Sequence, residues 1–226
     1  MPGTLHWQAE PWVLVLLIAA AIGYAAGLHR LWGNAGRGAG ITRAQAGAFW
    51  AGWLVLAIAL CSPLDGLAEA LFSAHMVQHE LLMVGAAPLL VLGRPLATWS
   101  WALPATLRPA VGAWTRVPVV RKPWRAVTHP LGAFLVHAGA LWVWHVPVLF
   151  IAALHNEAVH ALQHASFLFS ALLFWWTIWN QGAPRLREGP AVLYLFGTML
   201  HTGALGALLT VSATAWYGTD PALTAA

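Results

Sequence analysis

Long apolar runs alternate with short polar stretches along most of the chain. Six runs stand out, at Trp12–Leu28, Ala46–Cys61, Leu71–Leu92, Leu131–Ala153, Ala161–Trp179 and Ala191–Ser212. At 1.5 Å of rise per residue, about 20 apolar residues cross ~30 Å of hydrocarbon. The second run is the shortest, and it becomes adequate if Thr42–Gln45 begin its helix. The pattern predicts an all-α polytopic bundle of about six transmembrane helices. It leaves no stretch for a separate soluble domain, so residues 1–226 read as one integral membrane domain.

The basic residues test this division. Arg30, Arg37 and Arg43 fall between the first two spans, and Arg94, Arg108, Arg116, Arg121, Lys122 and Arg125 between the third and fourth. Arg185 and Arg187 fall between the fifth and sixth, which accounts for all 11 Lys and Arg. The alternate segments hold Glu10, Asp65, Glu69, Glu157 and Asp220 instead. A miscounted span would scatter the cations over both sides. By the positive-inside rule the N-terminus lies outside and the basic loops lie in the cytoplasm. Met1–Pro11 has no basic residue, so the first span reads as a retained helix rather than a cleaved signal. The basic loop 93–130, rich in Pro and Trp, is expected to lie along the inner leaflet with its arginines on lipid phosphates; a partner-docking surface is the alternative.

Composition agrees. The chain is 60% apolar and 8% charged, against roughly 25% charged in soluble domains, and its 15 Trp suit membrane interfaces. A single cysteine, Cys61, excludes a disulfide scaffold. The net charge of +4 follows from the cytoplasmic loops and does not point to nucleic acid.

The chemistry rests on histidine, of which there are 11. His6 lies in the outer tail, while His29, His129 and His137 fall on the inner side. Intramembrane ionisable side chains are costly and usually functional. His75 and His79 sit at i, i+4 in the outer half of the third span, so both rings share one helix face. Met83 continues that stripe one turn deeper, and Met76 is adjacent. His160 and His164 repeat the spacing in the fifth span. His145 lies at a similar depth in the fourth span, and His201 falls mid-membrane in the sixth. If the two pairs faced each other they would form a four-nitrogen site, with Glu80 and Glu157 as outer partners. Imidazole suits copper, zinc, iron or nickel, and thioether sulfur shifts the choice toward Cu(I). A lone imidazole such as His137 reads instead as a helix–helix hydrogen-bond partner. Gly23-x-x-x-Gly27 permits close helix packing.

The segment Ser73-Ala-His-Met-Val-Gln-His-Glu-Leu-Leu-Met83, followed by Ala87-Pro88 and Gly93-Arg-Pro95, resembles the CtaG family of caa3-type cytochrome c oxidase assembly factors. His160-Ala-Leu-Gln-His164, Leu173-Phe-Trp-Trp176, Ser62-Pro-Leu-Asp65 and the helix around His201 are similar to further stretches of that family. Family members continue past the position of Trp216-Tyr217 into another helix. The resemblance implies a multi-pass protein of the bacterial plasma membrane that is itself not an enzyme. It also implies cytochrome c oxidase subunits as partners beside membrane lipids. Taken with the His and Met ligands, it gives copper as the expected metal, held by His75, His79, His160 and His164, with Met76, Met83, His145 and His201 as adjuncts. An extracytoplasmic copper chaperone is then a further partner. A b-type haem protein and a metal-free assembly scaffold are the competing expectations.

The topology makes a direct prediction. Alkaline phosphatase fused after Leu67 or Asn156 is active, whereas the same enzyme fused after Thr115 is inactive. The reverse pattern would overturn the assigned orientation.

Overall fold

The computed structural model describes residues 10–179 and 186–211. His6, Arg185, Ser212, Trp216, Tyr217 and Asp220 lie outside the described residues. Within them all regular structure is helical: α1 (Pro11–Ala35), α2 (Arg43–Cys61), α3 (Pro63–Ala70), α4 (Phe72–Glu80), a π turn (Leu81–Ala86), α5 (Ala87–Leu92), α6 (Pro95–Ala102), α7 (Arg108–Trp114), α8 (Pro118–Thr128), α9 (Pro130–Trp144), α10 (Pro147–His155), α11 (Glu157–Trp179) and α12 (Glu188–Val211). Proline opens many of these helices at the first or second position, where its missing N–H costs nothing. Thr42 starts α2 with a capping box: Gln45 N–H donates to its hydroxyl at 3.2 Å, and its own N–H donates to Gln45 Oε1 at 2.9 Å.

Among the described residues, five segments are long and apolar enough to cross a membrane: α1, α2, Phe72–Leu92, α11 and α12. The sequence reading placed a sixth at Leu131–Ala153, and there the structure differs. That stretch is two helices, α9 and α10, separated at His145 and Val146. Pro147 is the cause, since it has no N–H to continue the ladder and its ring opposes the carbonyl four residues back. Among the described residues a sixth crossing arises only if α8 and α9, bent by 73°, are taken as one segment.

The third span also departs from a plain α-helix. Ala87 N–H reaches the Leu82 carbonyl, one residue further than an α-helical bond. Pro88, the next candidate donor, has no N–H. The Met83 carbonyl therefore needs a donor from elsewhere, and Trp175 Nε1 on α11 supplies it at 2.8 Å. Other indoles act alike: Trp53 donates to the Leu17 carbonyl at 3.0 Å, Trp99 to Ala20 at 3.1 Å and Trp144 to the Ser166 hydroxyl at 2.6 Å. These tryptophans tie helices together rather than marking an interface, as their abundance first suggests.

Two apolar clusters hold the bundle. In one, Tyr24 and Phe49 stack at 3.5 Å among Leu28, Leu31, Ala46, Ala86 and Leu90, and the Tyr24 hydroxyl donates to the Gly93 carbonyl at 2.8 Å. In the other, Phe167 packs with Met83, Ala87, Leu141, Trp144 and Ala171. The basic loop 93–130 is not simply spread on the leaflet, because α6 turns back and packs along α1. The small residues of Gly23-x-x-x-Gly27 make that contact possible. Trp99 lies against Gly23, and the Thr98 carbonyl occupies the space a Cβ on Gly27 would need.

Gly27→Val should therefore lower unfolding stability in detergent by about 1–3 kcal/mol, the usual cost of overpacking. Gly33→Val, where nothing lies within 4 Å of the added Cβ, should cost less than half as much. Equal losses would mean that the α1–α6 contact contributes nothing.

Candidate metal centre

The amino-terminal halves of the third span, Phe72–Leu92, and of α11 meet at the end of the bundle opposite the basic residues. Each brings a histidine pair, and the ring centroids within each pair are 4.2 Å apart. Across the interface His75 stacks on His160 at 5.4 Å with planes inclined by 18°. His79 meets His164 edge-on at 5.2 Å, and His75 lies 6.3 Å from His164. Four imidazoles from two helices thus form one compact group. The ligating nitrogens of His75, His79 and His160 all lie within 4.8 Å of one another. Tetrahedral bonds of ~2.0–2.1 Å would place nitrogens roughly 3.4 Å apart, so small ring rotations would bring these three to an ion.

Aromatic side chains close over the group. His75, His79 and His164 are buried, and Phe150 and Phe167 lie against His75 and His79 at 5.7 and 4.7 Å. Nε2 of all four histidines is buried without a hydrogen-bond partner. Such a group ordinarily costs about 1–3 kcal/mol, and four of them in one place are not explained by helix packing. A cation accepting four nitrogen lone pairs would satisfy them together.

The other expected ligands fall differently. His145, at the break after α9, aims Nδ1 at the Leu141 carbonyl at 2.6 Å. A carbonyl only accepts, so Nδ1 carries the proton, the arrangement usual for a metal-facing imidazole. It is close enough to His75 and His79 to interact with both electrostatically. Met83 is packed in the Phe167 cluster one turn below His79, and Met76 is half-buried beside His75. His201 is not part of the four-ring group. It lies on α12, which packs on α9, with its ring 5.5 Å from Phe134. His137 makes the predicted helix–helix bond, to the Ser170 hydroxyl at 3.1 Å.

Glu80 and Glu157 are exposed, and the carboxylate that acts on the cluster is Asp65 of α3. It accepts a hydrogen bond from Gln78 Nε2 at 2.6 Å and interacts electrostatically with His160. Burial pushes the Asp65 carboxyl up from its ordinary value, while Gln78 and His160 pull it down. Gln78 also donates to the Ala59 carbonyl at 2.8 Å, fixing α4 to the end of α2. A repeated pattern would have revealed the glutamine. His75-Met-Val-Gln78-His79 and His160-Ala-Leu-Gln163-His164 both read His-x-x-Gln-His, and both glutamines are fully buried.

A polytopic helical membrane protein with a buried four-histidine cluster at one end is the class this structure defines. The chain belongs to the cytochrome c oxidase caa3 assembly factor family (Caa3_CtaG), whose family model matches residues 22–223. It is similar to uncharacterized proteins of Mycobacterium bovis and Mycobacterium tuberculosis, each 27% identical over 214 residues and covering 92% of this chain. A Mycobacterium leprae protein, also uncharacterized, is 26% identical over 214 residues, 91% of the chain. The chain spans about a third of the length of these relatives, 32% in each case. No solved structure matches it.

Gln78→Leu removes both hydrogen bonds and leaves Asp65 without its donor. Unfolding stability should fall by about 1–3 kcal/mol, read from thermal or denaturant midpoints in detergent. An unchanged midpoint would show that the Gln78 bonds do not hold α3 and α4 together.

Proposed function

We propose that this protein assists assembly of a caa3-type cytochrome c oxidase by holding copper as cargo between His75, His79, His160 and His164. The observation that carries the reading is the convergence of four imidazoles whose Nε2 atoms have no partner. Neutral imidazoles bind without releasing protons, unlike thiolates. They therefore suit a site that gives its ion up to a copper centre in a nascent oxidase subunit. His145 would serve as a further nitrogen donor during exchange, and Met83 as a soft neighbour below. The role is not catalytic: the site binds and releases an ion without altering a substrate. Its place at the end away from the basic residues supports a position on the extracytoplasmic side of a bacterial plasma membrane, where a copper chaperone would deliver the ion.

The same spacing disfavours the haem alternative. A bis-histidine haem needs a porphyrin-wide slot around its axial ligands. Each imidazole here has a second ring 4.2 Å away on its own helix, which crowds the space around it. The scaffold alternative gives no reason for four unpartnered nitrogens.

The test is Cu(I) titration of purified protein against a chromogenic chelator, alongside oxidase copper content in membranes. The double variant His75→Ala/His79→Ala should lose at least 100-fold in copper affinity. It should leave an oxidase deficient in copper while the protein itself still accumulates. Unchanged affinity with normal oxidase would favour the scaffold, and a Soret band in protein isolated from haem-replete cells would favour the electron-transfer reading.

A further inference from the structure

A cavity of about 360 Å³ lies between α1, α2, α5, α6 and α11, away from the histidines and lined throughout by apolar side chains, among them Leu17, Phe49, Leu60, Trp99 and Leu172. Its lining on α2 runs from residue 49 to residue 60, ~16 Å at 1.5 Å per residue, so it is a slot elongated along the bundle. Toward the end carrying the basic residues it adjoins a smaller pocket of about 100 Å³. The two share Val91, Leu96 and Trp176. Among the described residues, Arg94 is the one charged side chain lining either space. Gln45 and Trp179 stand beside it.

Arg94 is held in place at a cost. It is the single non-glycine residue with positive φ among the described residues, at φ 51° and ψ 52°. That left-handed conformation is unfavourable for an L-residue with a long side chain. It turns the chain from α5 into α6 and sets Arg94 against the smaller pocket that adjoins the slot. Such strain in a surface turn calls for a reason.

We propose that the slot and Arg94 together bind one anionic phospholipid, with an acyl chain in the slot and the headgroup phosphate on the guanidinium. The dimensions exclude a helix, which is about 10 Å across, while 360 Å³ falls in the range of ligand pockets. The lack of any polar lining excludes a polar metabolite. No carboxylate lines either space, so a choline or ethanolamine cation finds no counter-ion, whereas an acidic headgroup leaves Arg94 paired. The position suits the leaflet where acidic lipids meet basic protein segments. This site is independent of the histidine cluster and does not rest on the copper reading.

Native mass spectrometry of the delipidated protein in neutral detergent tests it, with phosphatidylglycerol, phosphatidylcholine and inorganic phosphate as separate probes. One phosphatidylglycerol should be retained per chain, at least ten-fold in preference to phosphatidylcholine. Arg94→Asn, uncharged and tolerant of the left-handed backbone, should abolish that preference, and Arg94→Lys should keep most of it. Ala20→Phe, which projects into the slot, should block uptake of both lipids. Phosphatidylglycerol brominated along its acyl chains should quench tryptophan fluorescence of the wild-type protein, because Trp53, Trp99 and Trp176 line the slot. That measurement stands even if a variant fails to fold. Equal uptake of the two lipids, a preference that survives Arg94→Asn, phosphate binding as tight as the lipid, or no quenching would each overturn the proposal.

Discussion

Hydrocarbon offers no water to a polar group, and most of this structure follows from that constraint. Each backbone or side-chain polar atom at membrane depth must find its partner inside the protein. The Tyr24 hydroxyl finds the Gly93 carbonyl, and Gln78 finds Ala59 and Asp65. Four indoles reach carbonyls or a hydroxyl on neighbouring helices. Where prolines interrupt a helix, the freed carbonyl is met from across an interface, as at Met83, or the helix ends and restarts, as at Pro147. Against this background the unpartnered Nε2 atoms of His75, His79, His160 and His164 stand out as a group, beside single unpartnered atoms on Gln78, Gln163 and Tyr194 and the two ring nitrogens of His201. The group falls where the chemistry is concentrated.

The cluster is positioned by helix starts. Phe72 opens both α4 and the third span, and Glu157 opens α11, so both histidine pairs lie in the first half of their spans. Short α3 and α10 precede them, and each contributes to the site from outside the spanning helices. α3 brings Asp65 against Gln78, and α10 brings Phe150 against His75. The proposed ion would thus be reached from the bundle end rather than from the lipid side.

Much of this was legible in the sequence. Apolar run length and the one-sided distribution of arginine gave the helical membrane architecture. The i, i+4 spacing gave two histidine pairs on defined helix faces. What the spacing could not give was the relative rotation of α4 and α11, since that depends on side chains such as Phe167 and Trp175 packing between them. The break at His145 escaped because hydrophobicity is blind to a single proline, although Pro147 stood in the run. Asp65 escaped because it belongs to a short helix outside the spans and reaches the site through Gln78. The role of α6 escaped for a related reason: its contact with α1 depends on two glycines far away in the chain.

Two smooth apolar rods lying side by side have no preferred axial offset, and a slip of one turn would cost little dispersion energy. The bond from Trp175 to the Met83 carbonyl removes that freedom, acting as a pawl between the third span and α11. A slip of ~5.4 Å would carry His160 to the level of His164 and leave one imidazole of each pair facing a blank position. The irregular turn just before Pro88 thus supplies the notch into which the indole drops. A flaw in one helix becomes the index mark that aligns the two, deeper in the bundle than the nitrogens it keeps in step.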